Sequence, residues 1–183
     1  MITNIILTVV GIVLLWALVF SVWIVWGTFR YGAPLVSTSK KVTEEMIALA
    51  DIQPGDQVYD LGCGTGAILF AVAKHSAKDV QCRGYDLVRP AIWWARVKLF
   101  FGETRLIAVL QFECADFFRK DLSDADIIFC YLLPDVMQRI YQEKWETLKS
   151  KCTIVSHGFP IHSLTPTYET SVGKEKIYLY RKP

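Results

Sequence analysis

Read for its hydrophobic and polar positions, the chain divides near residue 30. From Ile5 to Trp26 no side chain is charged, and the first charge in the chain is Arg30. At about 1.5 Å per residue, that run is long enough for the roughly 30 Å hydrocarbon core of a bilayer. Trp23 and Trp26 near its end suit a membrane interface. A secretory signal peptide would want a charged start, a shorter apolar centre and a small-residue cleavage site. Met1 to Asn4 carry no charged side chain, and the apolar run is too long. The pattern therefore predicts a transmembrane anchor over residues 1–30. Arg30, Lys40 and Lys41 follow the run and no basic side chain precedes it. The positive-inside rule then predicts the N-terminus outside and the remainder in the cytoplasm, or in the matrix of an organelle.

After Gly32-Ala33-Pro34 the pattern becomes that of a globular domain, and residues 31–183 are enough for one. Thr43 reads as an N-cap, with Glu44 and Glu45 at the positive end of a helix and Met46, Ile47, Leu49 and Ala50 on its apolar side. Pro54-Gly55 marks a turn. Residues 57–60 read as a strand, 67–73 as a buried helix and 80–86 as a second strand. A helix over 90–101 follows, with Pro90 in its first turn. Its stripe of Trp93, Val97, Phe100 and Phe101, with Trp94 alongside, is expected to pack in the core. Contact with a membrane surface is the lesser alternative, given Arg89, Arg96 and Lys98. Further strands are predicted over 109–114, 126–130 and 152–157, with a helix over 138–149. The continuous apolar run of the 126–130 strand suits a sheet buried on both faces. A C-terminal hairpin has Tyr178-Leu179-Tyr180 as its clear half and a faint half within 165–171. Strands alternating with helices predict an α/β fold with a mostly parallel sheet.

The chemistry concentrates at Val58-Tyr59-Asp60-Leu61-Gly62-Cys63-Gly64-Thr65-Gly66. A strand, a glycine-rich turn and a helix open a nucleotide-binding βαβ unit. The spacing is G-x-G-x-G, which differs from the dinucleotide fingerprint, and no Lys-Ser or Lys-Thr follows to make a P-loop. An acidic residue directly before G-x-G-x-G resembles motif I of the class I S-adenosylmethionine-dependent methyltransferases. That resemblance implies that Asp60 and the backbone of Gly62, Gly64 and Gly66 hold the methionine end of the cofactor. Asp86 closes the second strand, where open α/β sheets bind ligands. Its carboxylate can accept from two ribose hydroxyls. Asp116, just after the third strand, can accept from an adenine amino group, with Phe117 against the ring.

Overall charge is +2, too mild to argue for nucleic acid. The five cysteines contain no C-x-x-C pair and read as buried thiols, without metal or disulfide. Tyr131-Leu132-Leu133-Pro134 follows the fourth strand, at the position beside the transferred methyl in this class. It departs from the Asn-Pro-Pro-Tyr of many amine and amide methylating enzymes.

With Ser37-Thr38-Ser39, motif I, Trp93-Trp94-Ala95-Arg96 and Tyr131-Leu132-Leu133-Pro134 in one order, the chain resembles a particular family. These are the membrane-anchored lysine methyltransferases of mitochondrial ATP synthase c-subunit and adenine nucleotide translocase, with a soluble archaeal relative of broad protein-lysine specificity. The resemblance implies a Rossmann-like domain whose seven-stranded, mostly parallel sheet ends in an antiparallel hairpin. It implies methyl transfer from S-adenosyl-L-methionine to a lysine of a membrane-associated protein, with Tyr131 orienting the amine and neither metal nor nucleic acid involved. Cys63 and Thr65 depart from the family's usual motif I. Two other functions remain open: methylation of a small lipid or quinone head group, and a non-catalytic scaffold of the same fold. His157, after the fifth strand, could border the site, but a loop histidine packed at the sheet edge is the reading expected.

Overall fold

The computed structural model describes residues 2–31, 38–75, 79–102 and 109–183, with the side chains of the first helix described over 7–22. The chain forms two compact units, Met1–Leu35 and Val36–Pro183. The first contains helix α1 (Ile2–Tyr31), and its described side chains are exposed throughout. The Ser21 hydroxyl donates to the Ala17 carbonyl one turn back, at 2.8 Å.

The transmembrane helix expected over residues 1–30 is corrected here. Among the described residues no helix is long and apolar enough to cross a membrane. The side chains of Trp23, Trp26 and Arg30 lie outside the described residues, as do Gly32-Ala33-Pro34 and Ser37.

In the second unit, strands β1 (Gln57–Leu61), β2 (Gln81–Asp86), β3 (Leu110–Cys114), β4 (Ile127–Cys130), β5 (Thr153–His157), β6 (Tyr168–Val172) and β7 (Glu175–Arg181) form one seven-stranded sheet. Their order is β3-β2-β1-β4-β5-β7-β6. The first five are parallel, and β7 runs antiparallel between β5 and β6. This is the expected Rossmann-like sheet with its C-terminal hairpin. The strand order reverses between β1 and β4, and that switch point opens a crevice at the strands' carboxyl ends. Every residue of β4 is buried, as its unbroken apolar run requires.

Helices α2 (Lys40–Ala50), α3 (Ala67–His75) and α4 (Arg89–Phe100) build one core with the sheet. Val42, Met46, Leu69, Val72, Ile92 and Ala95 meet Val58, Phe129, Val155 and Ile177 there. Helix α2 starts earlier than Thr43 suggested. Ser39 is its N-cap, with Oγ accepting from Val42 N at 3.4 Å, and Thr43 is buried inside the helix.

The aromatic stripe of α4 is a second correction. Ala91, Ile92 and Ala95 are its buried residues, whereas Trp93 is 64% exposed, Phe100 76% and Phe101 81%. Small residues let α4 lie close to the sheet, which leaves the large rings outside. Helix α5 (Pro134–Glu143) begins four residues before the expected 138. Pro134 in its first turn sets the start, because a proline there gives up no helical hydrogen bond. Residues 145–147 form a separate 3₁₀ turn. All five cysteines are free; Cys114 is exposed and the others are buried.

This packing has a measurable consequence. Phe129→Ala, at a fully buried site in β4, should cost about 3–5 kcal/mol of stability. Phe100→Ala should stay within about 0.5 kcal/mol of the parent. Urea unfolding of both variants checks the contrast; equal losses would mean that Phe100 is covered in solution.

Candidate cofactor and acceptor site

The glycine loop between β1 and α3 is laced onto β2. Gly62 N and Cys63 N both donate to the Tyr85 carbonyl, at 2.8 and 3.1 Å, and Gly66 N turns back to Cys63 O at 2.8 Å. Gly62 has φ +81°, and a Cβ on it would stand 2.7 Å from Leu132 Cδ2. A side chain there would therefore force the Leu132 side chain to shift. Gly64 has φ +52°, and a Cβ on it would meet nothing within 4 Å. Its backbone faces open space at the mouth of the switch point, where a ligand can lie against it. Gly66 accepts from Phe70 N at 2.9 Å and leads into α3.

Asp86 fastens this loop. One carboxylate oxygen accepts from Gly64 N at 2.7 Å, and the other accepts from Val88 N at 2.8 Å. Burial raises its pKa, while the bonds from Val88 and Gly64 work against that. Asp60, the fourth residue of β1, is 3% exposed. Burial first, and the negative charge of Asp86 second, push its carboxyl up to about 8. Buried Asp60, acted on by the charge of Asp86, favours a cation beside it. The positively charged methionine end of S-adenosylmethionine supplies one, and the open face over Gly64 leaves room for it, so the residues present fit that cofactor. Cys63 lies in the same loop, 6% exposed. Burial, then Asp60 and Asp86, raise its thiol well above the ordinary range, so it is no thiolate nucleophile.

Asp116 and Phe117 sit past β3. Asp116 caps the 3₁₀ turn over residues 117–119, its Oδ1 accepting from Phe118 N at 3.0 Å, and its Oδ2 lies 3.8 Å from Arg119 Nε. Phe117 is buried, with its ring 4.4 Å from that of Phe118. The Arg139 guanidinium lies 3.8 Å over the Phe118 ring. Asp116 thus spends one oxygen on its own turn and keeps acceptor capacity beyond it.

On the other side of the switch point stand Tyr131 and His157. Cys130 pairs with Ser156 in the β4–β5 ladder, so the next residue of each strand falls side by side. Their rings are 4.0 Å apart. His157 belongs to the sheet, 1% exposed as the last residue of β5, instead of packing in a loop at the edge. Its Nε2 bonds a carboxylate oxygen of Glu175 on β7. Nothing in the residue pattern points to Glu175, because only the antiparallel return of β7 brings it there. Nor does that pattern show the network on β1 and β2, where Tyr59 OH donates to Asp124 at 2.7 Å and Arg83 bonds both residues. Among the described residues no group of three metal-ligating side chains is placed to hold an ion.

A switch-point crevice with an acidic glycine loop on one side and an aromatic corner on the other defines a class I S-adenosylmethionine-dependent methyltransferase. Comparison with known proteins agrees. Residues 60–168 match the ANTKMT methyltransferase domain, and the chain belongs to that family. It is 30% identical over 155 residues to a protein-lysine N-methyltransferase of Saccharolobus islandicus, covering 80% of this chain and 92% of that protein. It is 28% identical to a ribosomal protein L11 methyltransferase of Oceanobacillus iheyensis, over 60% of this chain and 33% of that one. Among solved structures, an RNA methyltransferase from Salinibacter ruber in complex with S-adenosyl-L-homocysteine superposes with a TM-score of 0.73. That pair is 29% identical, covering 81% of this chain and 94% of the other. The chain is an S-adenosylmethionine-dependent methyltransferase.

Two outcomes follow from the carboxylates. Asp60 holds its proton in the folded, cofactor-free protein up to about pH 8 and loses it near pH 4 when unfolded. Between those values the folded state binds more protons, so stability falls as pH rises, by at most about 1.4 kcal/mol per pH unit. Urea unfolding from pH 5 to 8 should show that fall, and Asp60→Asn should flatten it. Asp86→Ala removes the acceptor that holds Gly64 N. It should weaken S-adenosylmethionine binding by about 1.5–3 kcal/mol; unchanged affinity in calorimetry would take Asp86 out of the cofactor site.

Proposed function

We propose that this methyltransferase acts on the side-chain amine of a lysine in a protein. The observation that carries the reading is the relative from Saccharolobus islandicus, a protein-lysine N-methyltransferase matched over 92% of its length. When bound, S-adenosylmethionine supplies a methyl carbon activated by its sulfonium, with a neutral thioether as the leaving group. The chain's own residues then have to position the acceptor, desolvate it and leave it uncharged.

Asp60, Asp86 and the Gly62–Gly66 loop hold the cofactor, with Asp116 and Phe117 at its adenine end. Tyr131 stands across the switch point with Phe159 stacked 6.3 Å away and buried Leu132 beside it. Such surroundings favour the neutral form of a lysine, whose ordinary pKa is about 10.4. The Tyr131 hydroxyl accepts an N–H of the amine and turns its lone pair toward the methyl. No membrane association of the substrate is required by this reading.

The Salinibacter ruber protein is described as an RNA methyltransferase, so RNA is the acceptor against which lysine must be tested. With radiolabelled S-adenosylmethionine and a cell extract, label should enter protein, and peptide mass spectrometry should place it on lysine. Label confined to RNA or to a lipid extract would replace the reading. Tyr131→Phe keeps the ring and loses the hydroxyl. It should lower single-turnover methyl transfer roughly ten- to a thousandfold, taking a lost positioning hydrogen bond as about 1.5–4 kcal/mol, with cofactor affinity little changed. Full activity would leave Tyr131 as packing alone.

A further inference from the structure

Glu175, His157 and Tyr131 form a chain of contacts that ends at the proposed acceptor corner. We propose that His157 and Glu175 are a positioning pair for Tyr131: the carboxylate holds the imidazole, and the imidazole holds the plane of the tyrosine ring. The proposal rests on the reading of Tyr131 as the residue that borders the acceptor amine.

Three observations carry it. The first is that Tyr131 is held by three consecutive residues at the end of β5. The His157 ring lies 4.0 Å from its centroid at a 35° tilt, and the Phe159 ring lies 6.3 Å away and nearly parallel. Between them Gly158 has φ +79°, and a Cβ on it would stand 2.9 Å from Tyr131 Cε2. Only the absence of a side chain at 158 lets the backbone approach the ring so closely.

The second is that this segment is itself tied down. Gly158 N donates to the Lys176 carbonyl at 2.8 Å, and the Ser156 hydroxyl donates to the Phe159 carbonyl at 2.6 Å. With Glu175 on Nε2, β7 fixes both the backbone and the ring of the residues that touch Tyr131. The Lys176 side chain is turned elsewhere, to Glu169 at 2.7 Å, and does not compete for Glu175.

The third concerns what His157 does not have. Its Nδ1 is buried and without a hydrogen-bond partner among the described residues, although the residue is 1% exposed. A buried polar atom left unpaired costs stability. A phenylalanine would fill the same place beside Tyr131 with no orphan atom. The imidazole therefore offers folding little at this position, and what it offers is the directional bond to Glu175. That bond prevents the ring from rotating or sliding, and through it prevents Tyr131 from doing so. Displacement of a positioning group by about an ångström is enough to slow a group transfer a hundredfold.

The test compares His157→Ala, His157→Phe and Glu175→Gln in the full chain, alone and on a Tyr131→Ala background. Single-turnover methyl transfer uses saturating S-adenosylmethionine and poly-L-lysine as the acceptor probe. Thermal melting and cofactor calorimetry are run on the same samples. His157→Ala should slow transfer ten- to a hundredfold, with cofactor affinity within twofold of the parent. His157→Phe should melt at or above the parent temperature and still transfer several-fold more slowly, because its ring packs but is no longer held. Glu175→Gln should fall between the parent and His157→Phe. On the Tyr131→Ala background none of the three should slow transfer further, because groups that act through one residue are not additive. If Tyr131→Ala slows transfer and His157→Phe is as fast as the parent, the positioning pair is overturned and the reading of Tyr131 stands. The pair is likewise overturned if the losses add on the Tyr131→Ala background. If Tyr131→Ala itself transfers at the parent rate, the reading of Tyr131 fails and takes the pair with it.

Discussion

The site depends on one bond, from the Gly64 N–H to the Asp86 carboxylate at 2.7 Å. Asp86 ends β2 and Gly64 lies in the loop leaving β1, so the bond crosses between neighbouring parallel strands at their carboxyl ends. It is charge-assisted, which makes it stronger than a bond between neutral groups. It holds open a loop whose glycines take backbone conformations that most residues avoid. It also keeps a carboxylate within electrostatic reach of Asp60, and that raises the Asp60 carboxyl further than burial alone would. A cationic ligand relieves both effects, so the fold stores at this point a preference for positive charge.

Much of this was legible before any coordinates. Strand β4 is an apolar run with no alternation, which only a doubly covered strand tolerates, and all four of its residues are buried. The G-x-G-x-G loop announced itself by residue type, because a turn with repeated positive φ has few other solutions. Asp60 and Asp86 were readable from position, one just before the glycine loop and one closing the second strand. Hydropathy failed where it reports only that a face is apolar and not what covers it. The rings of α4 have helical spacing, yet Ala91, Ile92 and Ala95 make the buried side and the rings stay out. The run in α1 is continuous in the sequence, yet among the described residues no helix is long and apolar enough to cross a membrane.

Long-range pairing was the other blind spot. Strand β6 is an edge strand with a mostly exposed pattern, so it lacks the alternation that marks a half-buried strand. Without β6 and β7 in register, nothing in the sequence relates Glu175 to His157. The ladder does so at once: His157 pairs with Ile177 across β5 and β7, and residues two apart on a strand share a face, which brings Glu175 to the imidazole. The hairpin that closes the sheet thereby reaches, through His157, the ring of Tyr131.

The two sides of the switch point are also joined directly. A Cβ on Gly62 would collide with Leu132, and a Cβ on Gly158 would collide with Tyr131. These glycines sit at opposite ends of the short segment after β4, one pressed against its second residue and one against its first. Leu132 therefore lies against the glycine loop, and Tyr131 against the end of β5. The absence of a side chain at Gly62 and at Gly158 is thus what lets the loop after β1 and the end of β5 close in on the segment that carries Tyr131.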